Sequence, residues 1–154
     1  MKGKLGSVKK DFERVGVGIA MSGRTLTVTP FSHKKKDNVV VNTVLSLVSN
    51  MVTGVTKGYT YRLKVAYAHF PISVKTKDDK VLVENFVGER SPRVSRIVGD
   101  CKVSVDGDDV VVKGVSLEEV GQTAANLELA TKIKRKDQRI FLDGVYIYAK
   151  EVGT

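Results

Sequence analysis

Apolar residues fall along the chain in two similar passages. Val15–Ala20 and Arg24–Thr29 are β-rich runs on either side of Ser22-Gly23, the spacing of a hairpin. Leu26 and Val28 alternate with threonines, as in a strand buried on one face. After Ser32–Asn38, the residues Val40, Val44, Leu47, Val48 and Met51 recur at helical spacing, and Gly54 is the expected stop. The valines lower helix propensity, so this helix needs packing to support it. Tyr59–Tyr67 then alternates. Tyr59, Tyr61, Leu63, Val65 and Tyr67 take one face, Arg62 and Lys64 the other, and Pro71 closes the passage.

The same order returns about 80 residues later. Cys101–Val105 and Asp109–Val112 flank Asp106-Gly107-Asp108, a second hairpin. Ser116 and Glu119 fit a capping box. Leu117, Val120, Ala124, Leu127 and Thr131 form one helical stripe, and Gly144–Ala149 reads as a closing strand. An extra hairpin, Ile72–Thr76 and Val81–Asn85 around Asp78-Asp79, precedes the second passage only. The pattern predicts an α+β chain of two tandem duplicated domains, residues 1–71 and 72–154. Each is expected to hold a mostly antiparallel sheet packed against one helix, the first lacking its opening hairpin and so exposing a strand edge.

Composition narrows the class. Of 154 residues, 42% are hydrophobic and 28% charged, a balance that folds. The formal net charge is +9, and all of it belongs to residues 1–71, where twelve Lys/Arg face three acids. The remainder balances fourteen against fourteen, with Lys132, Lys134, Arg135, Lys136 and Arg139 crowded near its end. Such a surplus favours a polyanionic partner. The chain reads without an apolar run approaching the ~20 residues of a membrane span and without the apolar stretch of a signal peptide at its start. No membrane partner is therefore expected.

Catalytic signals are sparse. Gly16 and Gly18 lie within a strand run, outside the strand-to-helix turn of a dinucleotide site, and no phosphate-loop motif occurs. Cys101, the single cysteine, sits in an alternating strand and reads as a structural thiol. His69 reads as a packing or capping residue, and His33 belongs to a basic cluster; no metal site and no cofactor are expected. The acid pairs Asp78-Asp79, Asp108-Asp109 and Glu118-Glu119 are accounted for by turns and a helix start.

The basic clusters say more. Lys34, Lys35 and Lys36 stand at the expected start of the first helix, where cations oppose the macrodipole unless a phosphate reverses the sign. The second cluster, Lys132–Arg139, ends a helix, where some cations are expected anyway. Five in eight residues exceed that need, and Phe141 beside them suits folded RNA. Arg90, Arg93 and Arg96 are spaced so that they cannot share one face of a strand.

Three segments, Gly54–Val65 with Ala68–Pro71, Phe86–Arg90, and Lys134–Tyr146, together resemble the large-subunit ribosomal protein six family, numbered nine in eukaryotic cytosolic ribosomes. The Lys-Asp-x-Arg-x-Phe-x-Asp-Gly form of the last is that of archaeal and eukaryotic members. The resemblance runs the length of the chain. It implies two tandem α+β domains and a non-enzymatic structural role in the cytoplasmic large subunit, bound to large-subunit rRNA near the sarcin–ricin loop and the factor-binding region. Neighbouring ribosomal proteins would be partners and translation GTPases would dock nearby; no homo-oligomer is expected. The rRNA contacts it implies are Lys134, Arg135, Lys136, Arg139, Phe141, Asp143 and Gly144, with Gly88 and Arg90 beside them. Lys34, Lys35 and Lys36 match the helix entry of the first domain.

Family members carry an N-terminal hairpin that is missing before Met1. Either the lineage has lost it or Met1 is internal and the start lies upstream; the second is favoured, because a deletion would strip a sheet of two strands. Rival readings are a non-ribosomal RNA-binding module, an enzyme acting on a nucleotide or acidic substrate, and an acidic-membrane binder. The enzyme lacks a nucleophile, metal or phosphate-loop constellation, and the membrane binder lacks a basic amphipathic helix with bulky anchors.

Overall fold

The computed structural model describes all residues other than His33, Arg135, Gln138 and Thr154, and all of their side chains other than that of Lys36. The first expected hairpin forms as β1 (Val17–Ser22) and β2 (Thr25–Pro30), closed by the Ser22–Thr25 pair. Leu26, Val28 and Pro30 are half-buried while their neighbours are exposed, the alternation that the threonine pattern predicts. This sheet has two strands, with both outer edges unpaired among the described residues, and Ile19 and Met21 are exposed on it.

Helix α1 (Lys35–Thr56) runs past the expected stop at Gly54. Gly54 is an interior residue whose lack of a side chain lets the helix touch the chain at Val115: a Cβ there would collide with the Val115 carbonyl oxygen. The stop is Gly58, at φ +79°, whose N–H reaches the Gly54 carbonyl at 3.0 Å. The Thr43, Ser46, Thr53 and Thr56 hydroxyls each donate to the carbonyl four residues back, so they are satisfied within the helix. By length and composition Asp37–Thr56 could cross a membrane, which corrects the sequence reading. Interspersed Asn, Ser and Thr had broken up the apolar run.

The larger part of the molecule is one core between two sheets and a helix. β4 (Ser73–Lys77), β5 (Lys80–Glu84) and β6 (Arg93–Arg96) make a three-stranded antiparallel sheet. β7 (Lys102–Asp106), β8 (Asp109–Gly114), β3 (Tyr59–Ala66) and β9 (Gly144–Val152) make a four-stranded antiparallel sheet in that spatial order. Helix α2 (Leu117–Ala130) starts at Ser116, whose Oγ accepts the Glu119 N–H, as the capping box predicts. Leu63, Val65, Val81, Val83, Phe86, Val110, Val112, Val120, Ala124, Leu127 and Val145 are buried together between these three layers.

Two expectations are corrected. The strand Tyr59–Tyr67 was to close the first passage; β3 instead lies between β8 and β9, and Tyr67 falls outside it, exposed. Its polar face meets an acid on each flanking strand. Arg62 pairs with Glu151 at 3.2 Å and Lys64 with Asp109 at 3.1 Å, acids that only the second half supplies at this register. Residues 72–154 also contribute to two sheets and not one. β6 went unread because Arg-Val-Ser-Arg carries no apolar alternation.

The two interior helix glycines differ in sign. Gly54→Ala drives a methyl into the Val115 backbone and is expected to cost about 1–3 kcal/mol. At Gly121, in α2, a methyl would meet only the Tyr61 ring at 3.9 Å, so Gly121→Ala gains roughly 0.5–1 kcal/mol from helix propensity. Urea unfolding of both variants checks this; a Gly54→Ala protein as stable as the native one would contradict the close packing.

Candidate nucleic-acid interface

The second basic cluster becomes a loop fixed at both ends. On the incoming side, Thr131 caps α2 and is buried. Its hydroxyl donates toward the Leu127 and Glu128 carbonyls, each at 3.2 Å, and accepts the Val145 N–H at 3.0 Å, so one oxygen ties the helix end to the start of β9. Ile133 is buried two residues on. Lys132, Lys134, Lys136 and Arg139 are exposed around this anchor.

The outgoing side is held by Asp143, whose side chain is 1% exposed. Its Oδ1 accepts the Ala68 N–H at 2.7 Å, and its Oδ2 lies 3.3 Å from His69 Nδ1. His69 stacks on Phe141 with ring centroids 4.9 Å apart, and the Lys136 ammonium lies 4.4 Å from the centre of the same ring. His69 thus packs, as the sequence suggested. Asp143 and Gly144, which the resemblance sets among the rRNA contacts, are both buried in the chain by itself. A carboxylate turned inward onto an amide positions the loop and spares phosphate its repulsion.

Within the loop, Asp137 forms the turn. Its carboxylate accepts the Arg139 backbone N–H at 3.0 Å and both Nε and Nη2 of that guanidinium at 3.2 Å. These bonds hold its carboxyl below the usual value. The Phe141 N–H closes the turn on the Asp137 carbonyl at 3.0 Å. The Arg139 side chain remains 90% exposed, so its outer edge is free to take a phosphate.

Gly88 and Arg90 are brought to the same region by a residue whose role the sequence reading missed. Arg93 donates from Nη1 to the Ala130 carbonyl at 2.9 Å and to the Lys132 carbonyl at 3.3 Å. From Nε and Nη2 it grips both oxygens of Glu89, at 2.8 and 2.5 Å, and its guanidinium carbon lies 4.2 Å from the Phe86 ring centre. The segment Phe86–Arg90 is thereby joined to the end of α2. Gly88 sits at φ +75° with the Phe70 ring 3.4 Å from where a Cβ would be, which fixes the path that leaves Arg90 exposed. Only the spacing of Arg93 between two motifs could have signalled this bridge.

Lys34 and Lys35 are exposed at the start of α1, with no side-chain cap at Lys34, and among the described residues no hydrogen bond connects them with the 132–141 loop. Arg135 lies outside the described residues, as does the side chain of Lys36. Among the described residues no group of three or more His, Cys, Asp or Glu is placed to hold a metal. Burial pushes the Cys101 thiol up, against a weaker opposing bond with Thr123, which suits a structural role.

The Glu89–Arg93 pair carries a pH signature. The Arg93 hydrogen bonds hold the Glu89 carboxyl below its ordinary 4.5, with partial burial opposing them. A depressed carboxylate stabilises the fold above its unfolded value, and that contribution disappears as the pH falls through the folded value. Glu89 is 43% exposed, so the contribution is at most about 1 kcal/mol. Between pH 6 and 3, Glu89→Gln is expected to lose less stability than the native protein, measured by urea unfolding. A gap between the two that does not change with pH would contradict this.

The family model described as ribosomal protein L6 matches residues 70–144, which include β4 to α2, the Gly88–Arg90 segment and the basic loop. The large ribosomal subunit protein uL6 of Aeropyrum pernix is 44% identical over 153 residues, covering 99% of this chain and 84% of its own length. The uL6 protein of Methanobrevibacter smithii is 44% identical over 151 residues, with 98% and 85% covered. That of Archaeoglobus fulgidus is 50% identical over 135 residues, with 88% and 69% covered. The chain belongs to the ribosomal protein L6 (uL6) family: a structural, non-enzymatic protein of the large subunit of the cytoplasmic ribosome.

Proposed function

We propose that this chain binds large-subunit rRNA chiefly through the loop Lys132–Phe141, near the sarcin–ricin loop and the factor-binding region, with translation GTPases docking nearby. The observation that carries the reading is the fixed loop itself. Its ends are buried at Thr131, Ile133 and Asp143, while Lys132, Lys134, Lys136 and Arg139 face outward. Cations on a loop anchored at both ends meet phosphates at a smaller ordering cost than cations on a free segment. Arg90 extends the same surface, Gly88 shapes it, and Lys34, Lys35 and Lys36 form a second contact at the entry of α1. Arg135 belongs with the first set. Neighbouring ribosomal proteins complete the setting.

The chain is further proposed to consist of two tandem domains that arose by duplication. Hairpin, helix and strand occur in that order twice, as β1–β2, α1, β3 and as β7–β8, α2, β9. The division is placed after Pro71, with β3 of the first domain sharing a sheet with β8 and β9 of the second. The two strands that follow the two helices thereby become neighbours.

Tagged Arg139→Ala and Lys113→Ala proteins, expressed beside the native one, test the site. Lys113 is an exposed cation outside the loop. Arg139→Ala is expected to be depleted from large subunits in a high-salt sucrose gradient, and to lower the salt slope of rRNA binding by about one. Lys113→Ala is expected to incorporate normally. Equal incorporation of both would move the contact elsewhere, and sedimentation of the native chain free of ribosomes would favour the non-ribosomal RNA-binding module.

A further inference from the structure

Beside the basic loop runs a groove of about 450 Å³ between the last turn of α2 and the chain entering β9. Its walls include Leu129, Lys132, Ile133, Phe141, Leu142 and Tyr146. Leu129, Leu142 and Tyr146 are 62%, 60% and 43% exposed, so large apolar surface stands open here beside a row of lysines. Exposed apolar side chains gathered around one groove, and not scattered singly, make it a candidate binding place.

We propose that this groove seats one looped-out rRNA base while the lysines hold the phosphates on either side. The inference rests on the rRNA-binding reading above and adds what the loop selects: an unstacked nucleotide, and not only the backbone of a continuous duplex. The volume lies within the roughly 300–1,000 Å³ of small-ligand sites. The walls offer an aromatic ring and aliphatic side chains, the surfaces on which unstacked bases rest. Charge decides the kind of occupant. Glu128 is the one acid among the lining residues, Lys132 lines the groove, and Lys134 and Lys136 follow on the exposed loop. An apolar side chain of a protein neighbour would use the walls and leave the cations unanswered, whereas a nucleotide uses both.

The aromatic that does the stacking is Tyr146. The Phe141 ring already carries His69 and the Lys136 ammonium. Tyr146 folds back over Gly144 so closely that a Cβ there would lie 3.0–3.2 Å from its hydroxyl and outer ring atoms. That gives the buried Gly144 a role: a side chain at this position would push the ring out of place.

The test uses assembled large subunits carrying this chain with a photo-crosslinking amino acid at position 142, 146 or, as a reference, 134. The expected result is adducts from 142 and 146 to the base of a single unpaired nucleotide, and from 134 to its surroundings. The rRNA fragment recovered with the adduct then serves as a probe. Making that nucleotide abasic is expected to weaken binding about tenfold, and Leu142→Ser to abolish the difference between the intact and the abasic probe. Adducts from 134 to rRNA, with 142 and 146 reacting only with protein or with nothing, would overturn the base-binding groove and leave the rRNA-binding reading standing. The absence of rRNA adducts from all three positions would overturn both.

Discussion

The strand β3 lies between β8 and β9, and the arrangement of the proposed rRNA-binding face follows from that pairing. Leu63 and Val65 bury their side chains in the core from this strand, each worth about 1.5–3 kcal/mol. Its other face sets Arg62 and Lys64 against Glu151 and Asp109. Exposed pairs of this kind add little stability, but they penalise any register that would place the cations elsewhere. Because β3 is fixed, the chain leaving it arrives at Asp143 with the Ala68 amide and the His69 ring in bonding distance. The same pairing sets Ala66 opposite Gly144 at the start of β9. The returning end of the basic loop is therefore located by a strand that lies some eighty residues earlier in the chain.

The loop illustrates how a non-enzymatic surface is built. Cations placed close together repel one another, and a free segment would spread them. Here the Thr131 hydroxyl, the Asp143 carboxylate and the Asp137 turn hold the backbone, and Arg93 fastens the Phe86–Arg90 segment against the same helix end. Acids contribute by turning inward or by bracing a cation from one side. Lys132, Lys134, Lys136 and Arg139 remain exposed, so the surface stays cationic.

Much of this was legible in the sequence because local chemistry dictated it. Asp78-Asp79 and Gly107-Asp108 mark hairpin turns, Ser116 with Glu119 announces α2, and the first turn falls at Gly23-Arg24, one residue past the expected Ser22-Gly23. What was not legible depended on distant partners. Gly54 looks like a stop because glycine ends helices; only the approach of Val115 reveals it as a packing contact, with Gly58 the true end. The alternation of Tyr59–Val65 announces a strand and is silent about which strands flank it. Asp143 and Gly144 stand in a basic motif and read as contacts, while their burial and the bond of Asp143 to the Ala68 amide were not legible. Arg93 and β6 carried no periodic signal. The apolar length of α1 was hidden by hydroxyls that the helix satisfies itself.

The most direct test is lysine acetylation of this chain, free and in intact large subunits, read by mass spectrometry at each lysine. Lys132, Lys134 and Lys136 are expected to react in the free protein and to be shielded in the subunit, with ribonuclease digestion restoring their reactivity. Equal reactivity of these three lysines in both states, or shielding that survives ribonuclease, would contradict the claim that this loop is the rRNA-binding face.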